Sequence, residues 1–155
     1  MKRRDLRLRR WSRALDEQFA SFTYSAQDRL LRTAYLLTGD EWTARHLVES
    51  ALVRLYDGRR GLEPGRAEHQ ARRLLLQEYG GRPHEPGKGA VATGTVWGTV
   101  QRLPATRRAV AVLLFHDGLA EEDVADLLGV DVEQVRSEAG QVLAAIRALG
   151  CGQAA

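Results

Sequence analysis

Residues 118–148 read GLAEEDVADLLGVDVEQVRSEAGQVLAAIRA, and their apolar positions recur at helical spacing. This periodicity predicts a short helix over Glu121–Leu128 and a longer helix over 132–149. Gly129-Val130-Asp131 predicts a tight turn between them, because glycine readily adopts left-handed backbone angles. The stretch therefore predicts two helices that pack together across a glycine turn. The residues expected to be buried are Val124, Leu127, Leu128, Val135, Ala139, Val142, Leu143 and Ile146.

Two helices joined by such a turn are typical of a helix-turn-helix, whose second helix enters the major groove of DNA with its N-terminal residues. An ordinary pair of packed helices gives the same pattern. If the pair binds DNA, we expect exposed side chains early in the second helix to make the contacts. These candidates are Glu133, Gln134, Arg136, Ser137 and Glu138.

The rest of the chain also predicts helices. Apolar positions recur at helical spacing over residues 14–37, 42–56 and 66–79, and Ser25 is expected to cap a new helix within the first of these stretches. Residues 110–115 (VAVLLF) are rich in β-forming residues but have no partner strand, so we expect a buried helix there. The predicted fold class is all-α, with two small helical domains joined by a flexible linker.

Glycine and proline cluster between the two helical blocks and suggest the domain boundaries. We expect a basic N-terminal arm over residues 1–13 and a helical domain over 14–80. A linker over 81–94 then leads to a second helical domain over 95–149, which holds the helix-turn-helix.

Charge is distributed unevenly along the chain of 155 residues, whose net charge is +3. Seven of the 23 basic residues lie in the first thirteen positions, beside a single acid, Asp5. This arm is suited to binding a phosphate backbone, or it is simply a solvated end. By contrast, residues 117–138 hold eight acids and only one base, Arg136. DNA binding depends on neutralising phosphates, so this acidic stretch predicts weak DNA affinity.

Several classes of function find no support in the sequence. His46, His69, His84 and His116 are scattered, without the spacing of a metal site or a catalytic group. The one cysteine, Cys151, fits a free thiol in a reducing cytoplasm. No apolar run approaches the roughly 20 residues that a membrane span needs. We therefore expect a cytoplasmic protein that is not an enzyme, with no metal, no cofactor and no membrane association.

Four stretches follow one another along the chain: RLLRTAYLLTGD (29–40), ARHLVESALVRLY (44–56), AEHQARRLLLQEY (67–79) and residues 97–147. The last contains Leu103-Pro104, Gly129 and Val135-Arg136-Ser137. Together they resemble the group IV (extracytoplasmic-function) sigma factors of actinobacteria. In that family the four stretches correspond to the opening helix, the polymerase-core-binding helix, the helix that melts and reads the −10 promoter element, and the domain that reads the −35 element.

The resemblance implies a protein that docks on RNA polymerase core and directs it to promoter DNA. An anti-sigma or other regulatory protein is a further candidate partner. The implied core-binding residues are His46, Leu47, Glu49, Ser50 and Val53. The implied −10 contacts are Arg66, Arg72, Arg73, Gln77 and Tyr79, and the implied −35 contacts are Glu133, Gln134, Arg136 and Ser137.

The chain departs from the family pattern at these surfaces. The family usually shows Asp-Leu-Val-Gln-Glu in its core-binding helix, where this chain has His46-Leu47-Val48-Glu49-Ser50. After Tyr79 the family continues into a Trp- and Arg-rich extension, where this chain has Gly80-Gly81-Arg82-Pro83.

Two hypotheses therefore remain open. The chain is either a working sigma factor with unusual promoter contacts, helped by its tether to polymerase, or a sigma-like regulator that has lost promoter reading. In the second case it acts through protein–protein contacts with polymerase or another regulator, and its acidic helix-turn-helix binds a basic surface.

Overall fold

The structure is a computed structural model that describes residues 2–59, 62–63, 65–81 and 94–151. These residues form seven α-helices and one π-helical turn and contain no β-strand, which confirms the all-α prediction. Apart from its two ends, the predicted linker lies outside the described residues, and so does His84. The helices are α1 (Lys2–Thr38), α2 (Glu41–Asp57), α3 (Ala67–Gly80), α4 (Val96–Arg102), α5 (Ala105–Ala111), α6 (Glu121–Leu128) and α7 (Val132–Cys151).

Helix α1 is continuous, so the prediction of a new helix beginning at Ser25 is wrong. The Ser25 hydroxyl donates a hydrogen bond of 2.9 Å to the carbonyl oxygen of Phe22. A serine inside a helix can bond back to the preceding turn in this way instead of capping a new one. The backbone of α1 is helical from Lys2, through the residues of the predicted basic arm. It ends at Thr38, where Gly39 adopts a φ of 71°.

Helix α2 begins at a well-formed N-cap. The Asp40 carboxylate accepts hydrogen bonds from the hydroxyl of Thr43 at 2.6 Å and from its backbone amide at 2.7 Å. The amide is one of the helix's first N–H groups, which have no partner within the helix. Both bonds favour the charged carboxylate, the hydroxyl more than the amide, and hold the pKa of Asp40 below its usual range.

Replacing Asp40 by alanine is expected to lower the melting temperature by a few degrees at neutral pH, because α2 loses its cap. The folded-state pKa is depressed, so the contribution is present above the unfolded carboxyl pKa and is lost as the pH falls through the folded value. Thermal melts at neutral pH and near pH ~3, below the usual carboxyl range, should show the difference shrinking in acid. Asp28→Ala on exposed α1 surface is the control. A difference that does not change with pH would contradict the capping role.

The first three helices pack around a common aliphatic core. Leu30 and Leu37 of α1, Leu47 of α2 and Leu75 of α3 are all at most 1% exposed. Burying one such side chain stabilises the fold by about 1.5–3 kcal/mol. The buried residues of α5, α6 and α7 join the same cluster. The first half of the chain (α1–α3) and the second half (α4–α7) therefore share one core.

The second half contains both predicted helices and the predicted turn. Gly129 has φ 67° and ψ 37°, the left-handed conformation that ends α6 before α7 begins. Residues 110–115 are helical, and α5 continues into a π-helical turn over Val112–His116. The run is largely buried, as predicted, except for Phe115, which is 50% exposed. Leu143, which was predicted to be buried, is 40% exposed on α7, and the aromatic residues Trp42 and Tyr56 at the ends of the apolar stretch 42–56 are also exposed. Leu103 caps the end of α4, and Pro104, which follows it, cannot extend that helix.

Candidate protein and nucleic-acid interfaces

The outer face of α2 carries most of the predicted core-binding residues. His46, Glu49 and Val53 are exposed, at positions that place them on one side of the helix together with Trp42. The Trp42 and His46 rings stack, with centroids 5.7 Å apart and an interplanar angle of 10°. Trp42 is 72% exposed and Val53 60% exposed, which is unusual for apolar side chains of this size. We call Trp42, His46, Glu49 and Val53 the α2 stripe.

Two predicted core-binding residues lie off this stripe. Leu47 is fully buried against α1 and α3, and Ser50 is half-buried. Leu47 sits four positions before Ala51 and eight before Leu55, both buried, so helical spacing assigns it to the inner face. A direct contact between Leu47 and a partner would require the helix to leave the core.

The predicted −10 residues divide between surface and interior. Arg66, at the start of α3, is exposed and forms an ion pair of 3.4 Å with Glu63. Gln77 is exposed and accepts a hydrogen bond from Arg54 at 3.2 Å. Tyr79 is 5% exposed, and its burial raises the pKa of the phenol to about 12, despite the opposing influence of nearby Arg108. Tyr79 therefore stays neutral and is not available to stack on a base.

The other two −10 candidates face the second half of the chain. Arg72 lies beside Asp117, with 3.3 Å between its Nε and the carboxylate, and also pairs with Glu68 at 3.0 Å. Arg73 pairs with Asp126 of α6 at 2.7 Å, and the ring of His69 lies 2.9 Å from the same carboxylate. Hydrogen bonds from His69 and then from Arg73 lower the pKa of Asp126. Two acids of the second half, Asp117 and Asp126, therefore pair with basic side chains of α3.

The start of α7 holds the predicted −35 residues. Gln134 and Ser137 are exposed. Arg136 donates to the Glu121 carboxylate at 2.7 Å and to the Glu133 carboxylate at 2.6 Å, and these hydrogen bonds raise its pKa. The one arginine in this segment that could contact guanine is therefore already paired with two acids. DNA would have to displace both carboxylates to reach it.

Sequence reasoning missed Arg108, which joins the two halves. Its guanidinium is 3% exposed and donates to three backbone carbonyls: Leu37 at 2.8 Å, Gln101 at 2.6 Å and Leu103 at 3.1 Å. Leu37 belongs to the last turn of α1, whose carbonyls lack partners within the helix and attract positive charge. The side chain of Gln101 donates to the adjacent carbonyl of Leu36. A signal was available, because Arg108 immediately precedes the most apolar run of the second half.

A groove of about 470 Å³ lies where the two halves meet. Its lining is mostly apolar, and Trp97 of α4 packs edge-on against His116, with ring centroids 5.9 Å apart. The groove exists only because the halves are packed together. Its lining residues are Leu31, Arg32, Tyr35, Leu36, Glu41, Ala44, Trp97 and His116.

Two further properties concern the described part of the chain. Within it, no group of three or more histidine, cysteine or acidic side chains lies close enough together to hold a metal ion. None of its helices combines the length and the apolar character needed to cross a membrane.

Comparisons with known proteins identify the fold. No protein-family model matches the sequence, and no curated protein matches it. The structure is similar to the sigma factor RpoE of Bartonella quintana, solved in complex with the anti-sigma factor NepR. The TM-score is 0.72 at 16% sequence identity, covering 86% of this chain and 96% of that chain. At this identity the likeness shows that the chain has a helical sigma-factor fold.

A second solved structure has a related architecture. It is the anti-anti-sigma factor PhyR of Bartonella quintana, complexed with the anti-sigma factor NepR. The TM-score is 0.61 at 16% identity, covering 79% of this chain. This chain spans 48% of that one, or about half of its length. The same helical fold therefore occurs both in a sigma factor and in a protein that regulates one.

Proposed function

We propose that this chain is a sigma-type transcription protein of the cytoplasm that binds RNA polymerase core through the α2 stripe. The observation that carries the proposal is the exposure of Trp42 and Val53 on the outer face of a helix whose inner face is fully packed. Tryptophan and other large apolar side chains supply much of the energy of protein–protein binding once a partner covers them. Trp42 stacks on His46 and remains 72% exposed.

The stripe combines apolar and polar groups in the manner of an interface. Trp42 and Val53 lie near its ends, with the polar side chains of His46 and Glu49 between them. Apolar contact provides the affinity, and the flanking polar groups set the orientation of the partner. The altered polar residues at positions 46, 49 and 50 leave the exposed apolar side chains in place.

Competition binding tests this proposal directly. Labelled full-length protein is titrated with purified RNA polymerase core, alone and with an excess of the housekeeping sigma factor. We expect saturable binding that the housekeeping factor displaces, because both would occupy the sigma-docking surface. Absence of binding at micromolar core, or binding that the competitor does not affect, would reject sigma-type docking.

Promoter contact is the second part of the proposal. Arg66 and Gln77 are exposed on α3, and Gln134 and Ser137 are exposed on α7, so these four can reach DNA without a change in the fold. They provide few positive charges, and DNA binding by the free protein should be weak and strongly dependent on salt. Tethering to polymerase raises the local concentration of DNA, so that weak contacts suffice.

The second candidate function is a sigma-like regulator that acts only through protein contacts, including contacts with an anti-sigma protein. The observation that favours it is the pairing of Arg136 with Glu121 and Glu133. This pairing neutralises the positive charge that Arg136 would offer to DNA at the start of α7. The groove between the halves offers an apolar surface for such a partner, and both similar structures were solved with the anti-sigma factor NepR. Transcription assays with core polymerase separate the candidates, because only a working sigma factor should support initiation from promoter DNA.

A further inference from the structure

The contacts between α3 and the helix-turn-helix segment place two acids on the basic residues expected to bind DNA. We propose that Asp117 and Asp126, paired with Arg72, Arg73 and His69, form an intramolecular latch that holds the protein in a closed, self-inhibited form. In this form the second half of the chain occupies the face of α3 that would otherwise bind nucleic-acid phosphates. The latch consists of these five residues.

One end of the latch is built into the interior. The Asp117 side chain is 4% exposed and lies beside donors from α1 and α3 and beside the ring of its chain neighbour His116. The Thr33 hydroxyl of α1 donates to it at 2.9 Å, Arg72 donates at 3.3 Å, and the His116 ring lies at 2.8 Å. A buried carboxylate requires such partners, because an unpaired one would be strongly destabilising. The position of Asp117 therefore depends on the two halves staying together.

The other end is open to solvent. The Asp126 side chain is 58% exposed and the Arg73 side chain 36% exposed, although their charged atoms are 2.7 Å apart. Exposed pairs of this kind are weak and are screened by salt. This end is the easier of the two to disrupt by substitution, whereas Asp117 is held in the interior. The two ends of the latch therefore differ in strength, because the pair at Asp126 is exposed to solvent and the contacts of Asp117 are buried.

Carboxylates and phosphates compete for the same atoms of an arginine. The guanidinium presents a planar fork of N–H donors that fits either group. Arg72 and Arg73 cannot pair fully with Asp117 and Asp126 and with a phosphate backbone at the same time. Closure therefore excludes nucleic acid from this face of α3, and a sufficiently high local concentration of DNA favours the open form. The existence of the latch does not depend on sigma activity, but its regulatory meaning rests on the function proposed above.

The first test measures closure without any partner. Spin labels at Tyr24→Cys and Gln141→Cys, both exposed, report the distance between the halves in a Cys151→Ser background, which removes the one native thiol. We expect a single narrow distance distribution for the labelled parent and an added longer component in Asp117→Asn/Asp126→Asn. Circular dichroism confirms that the variant is folded. An unchanged distribution in a folded variant would overturn the latch.

A charge swap distinguishes loss of the ion pair from a general loss of structure. Arg73→Asp and Asp126→Arg should each add the longer component when introduced alone. The two changes together restore the pair with its charges exchanged and should return the narrow distribution, which a double-mutant cycle quantifies. Both residues are partly exposed, so neither change is expected to unfold the protein. Additive effects of the two changes would overturn the proposed pairing.

The second test measures masking of α3, with fluorescent poly-dT as a sequence-independent phosphate probe. We expect Asp126→Asn to bind poly-dT about two- to fivefold more tightly than the parent, because apparent affinity follows the competent fraction and loss of an exposed pair changes that fraction only modestly. The matched control is Asp123→Asn, which removes the same charge from an exposed position of α6 without the contact to Arg73. Equal gains in the two variants would reflect net charge alone and would overturn masking. If the latch opens as expected but core polymerase does not bind, the proposed function fails and the latch stands.

Discussion

Arg108→Met is expected to lower the free energy of unfolding by about 3 kcal/mol, because several buried carbonyls lose a charged donor at once and each unsatisfied group costs about 1–3 kcal/mol. The affected carbonyls belong to Leu37, Gln101 and Leu103. Methionine fills much of the same space, so the loss reports hydrogen bonding more than cavity formation. For a chain of this size the melting temperature should fall by about 10 °C.

Urea denaturation followed by circular dichroism measures this effect. Arg102→Met is the matched control, since Arg102 is exposed in the same part of the chain and should change stability by no more than about 0.5 kcal/mol. Arg108→Lys should fall between the parent and Arg108→Met, because an ammonium cannot reach three carbonyls with the geometry of a guanidinium. If Arg108→Met and Arg102→Met unfold at the same urea concentration, Arg108 does not tie the halves together.

Helix positions were largely predictable from the sequence because they depend on local periodicity. The pattern of Val124, Leu127, Val135 and Val142 defined α6 and α7, and the conformation of Gly129 followed from its place between them. Ser25 misled the prediction because serine serves equally to cap a helix and to bond back to the preceding turn. Such local ambiguities are settled by tertiary packing, here by burial of the α1 face on both sides of Ser25.

The interfaces were less predictable because they depend on contacts between residues far apart in sequence. Arg72 and Arg73 were chosen as DNA contacts by residue type, and nothing local indicates that Asp117 and Asp126 lie against them. The position of Arg108 before the most apolar run of the second half was a local signal for its burial, but nothing local identifies its carbonyl partner on α1. Tyr79, in contrast, shares the buried face of α3 with Leu75 and Leu76, so its burial was accessible from helical spacing.

The α2 stripe combines these two kinds of information, since helical spacing places Trp42 with the apolar residues of α2 and only the structure shows that it is 72% exposed. Trp42→Ala/Val53→Asp is expected to weaken binding to RNA polymerase core by at least about 100-fold. Loss of a tryptophan that a partner covers costs on the order of 2 kcal/mol in many interfaces, and a buried aspartate adds a desolvation penalty. Both residues are exposed in the free protein, so its stability should change little.

The control for this variant must remove exposed aromatic surface elsewhere. Tyr24→Ala does so, because Tyr24 is 91% exposed on α1 and lies away from the stripe in sequence. Titration of labelled protein with core polymerase should therefore give parent-like affinity for Tyr24→Ala and greatly reduced affinity for the α2 variant. If both variants bind as the parent does, the exposure of Trp42 and Val53 has no role in docking. If both weaken equally, the loss reflects general apolar adhesion and the α2 stripe is not a specific surface, because a specific interface concentrates its energy at a few central residues.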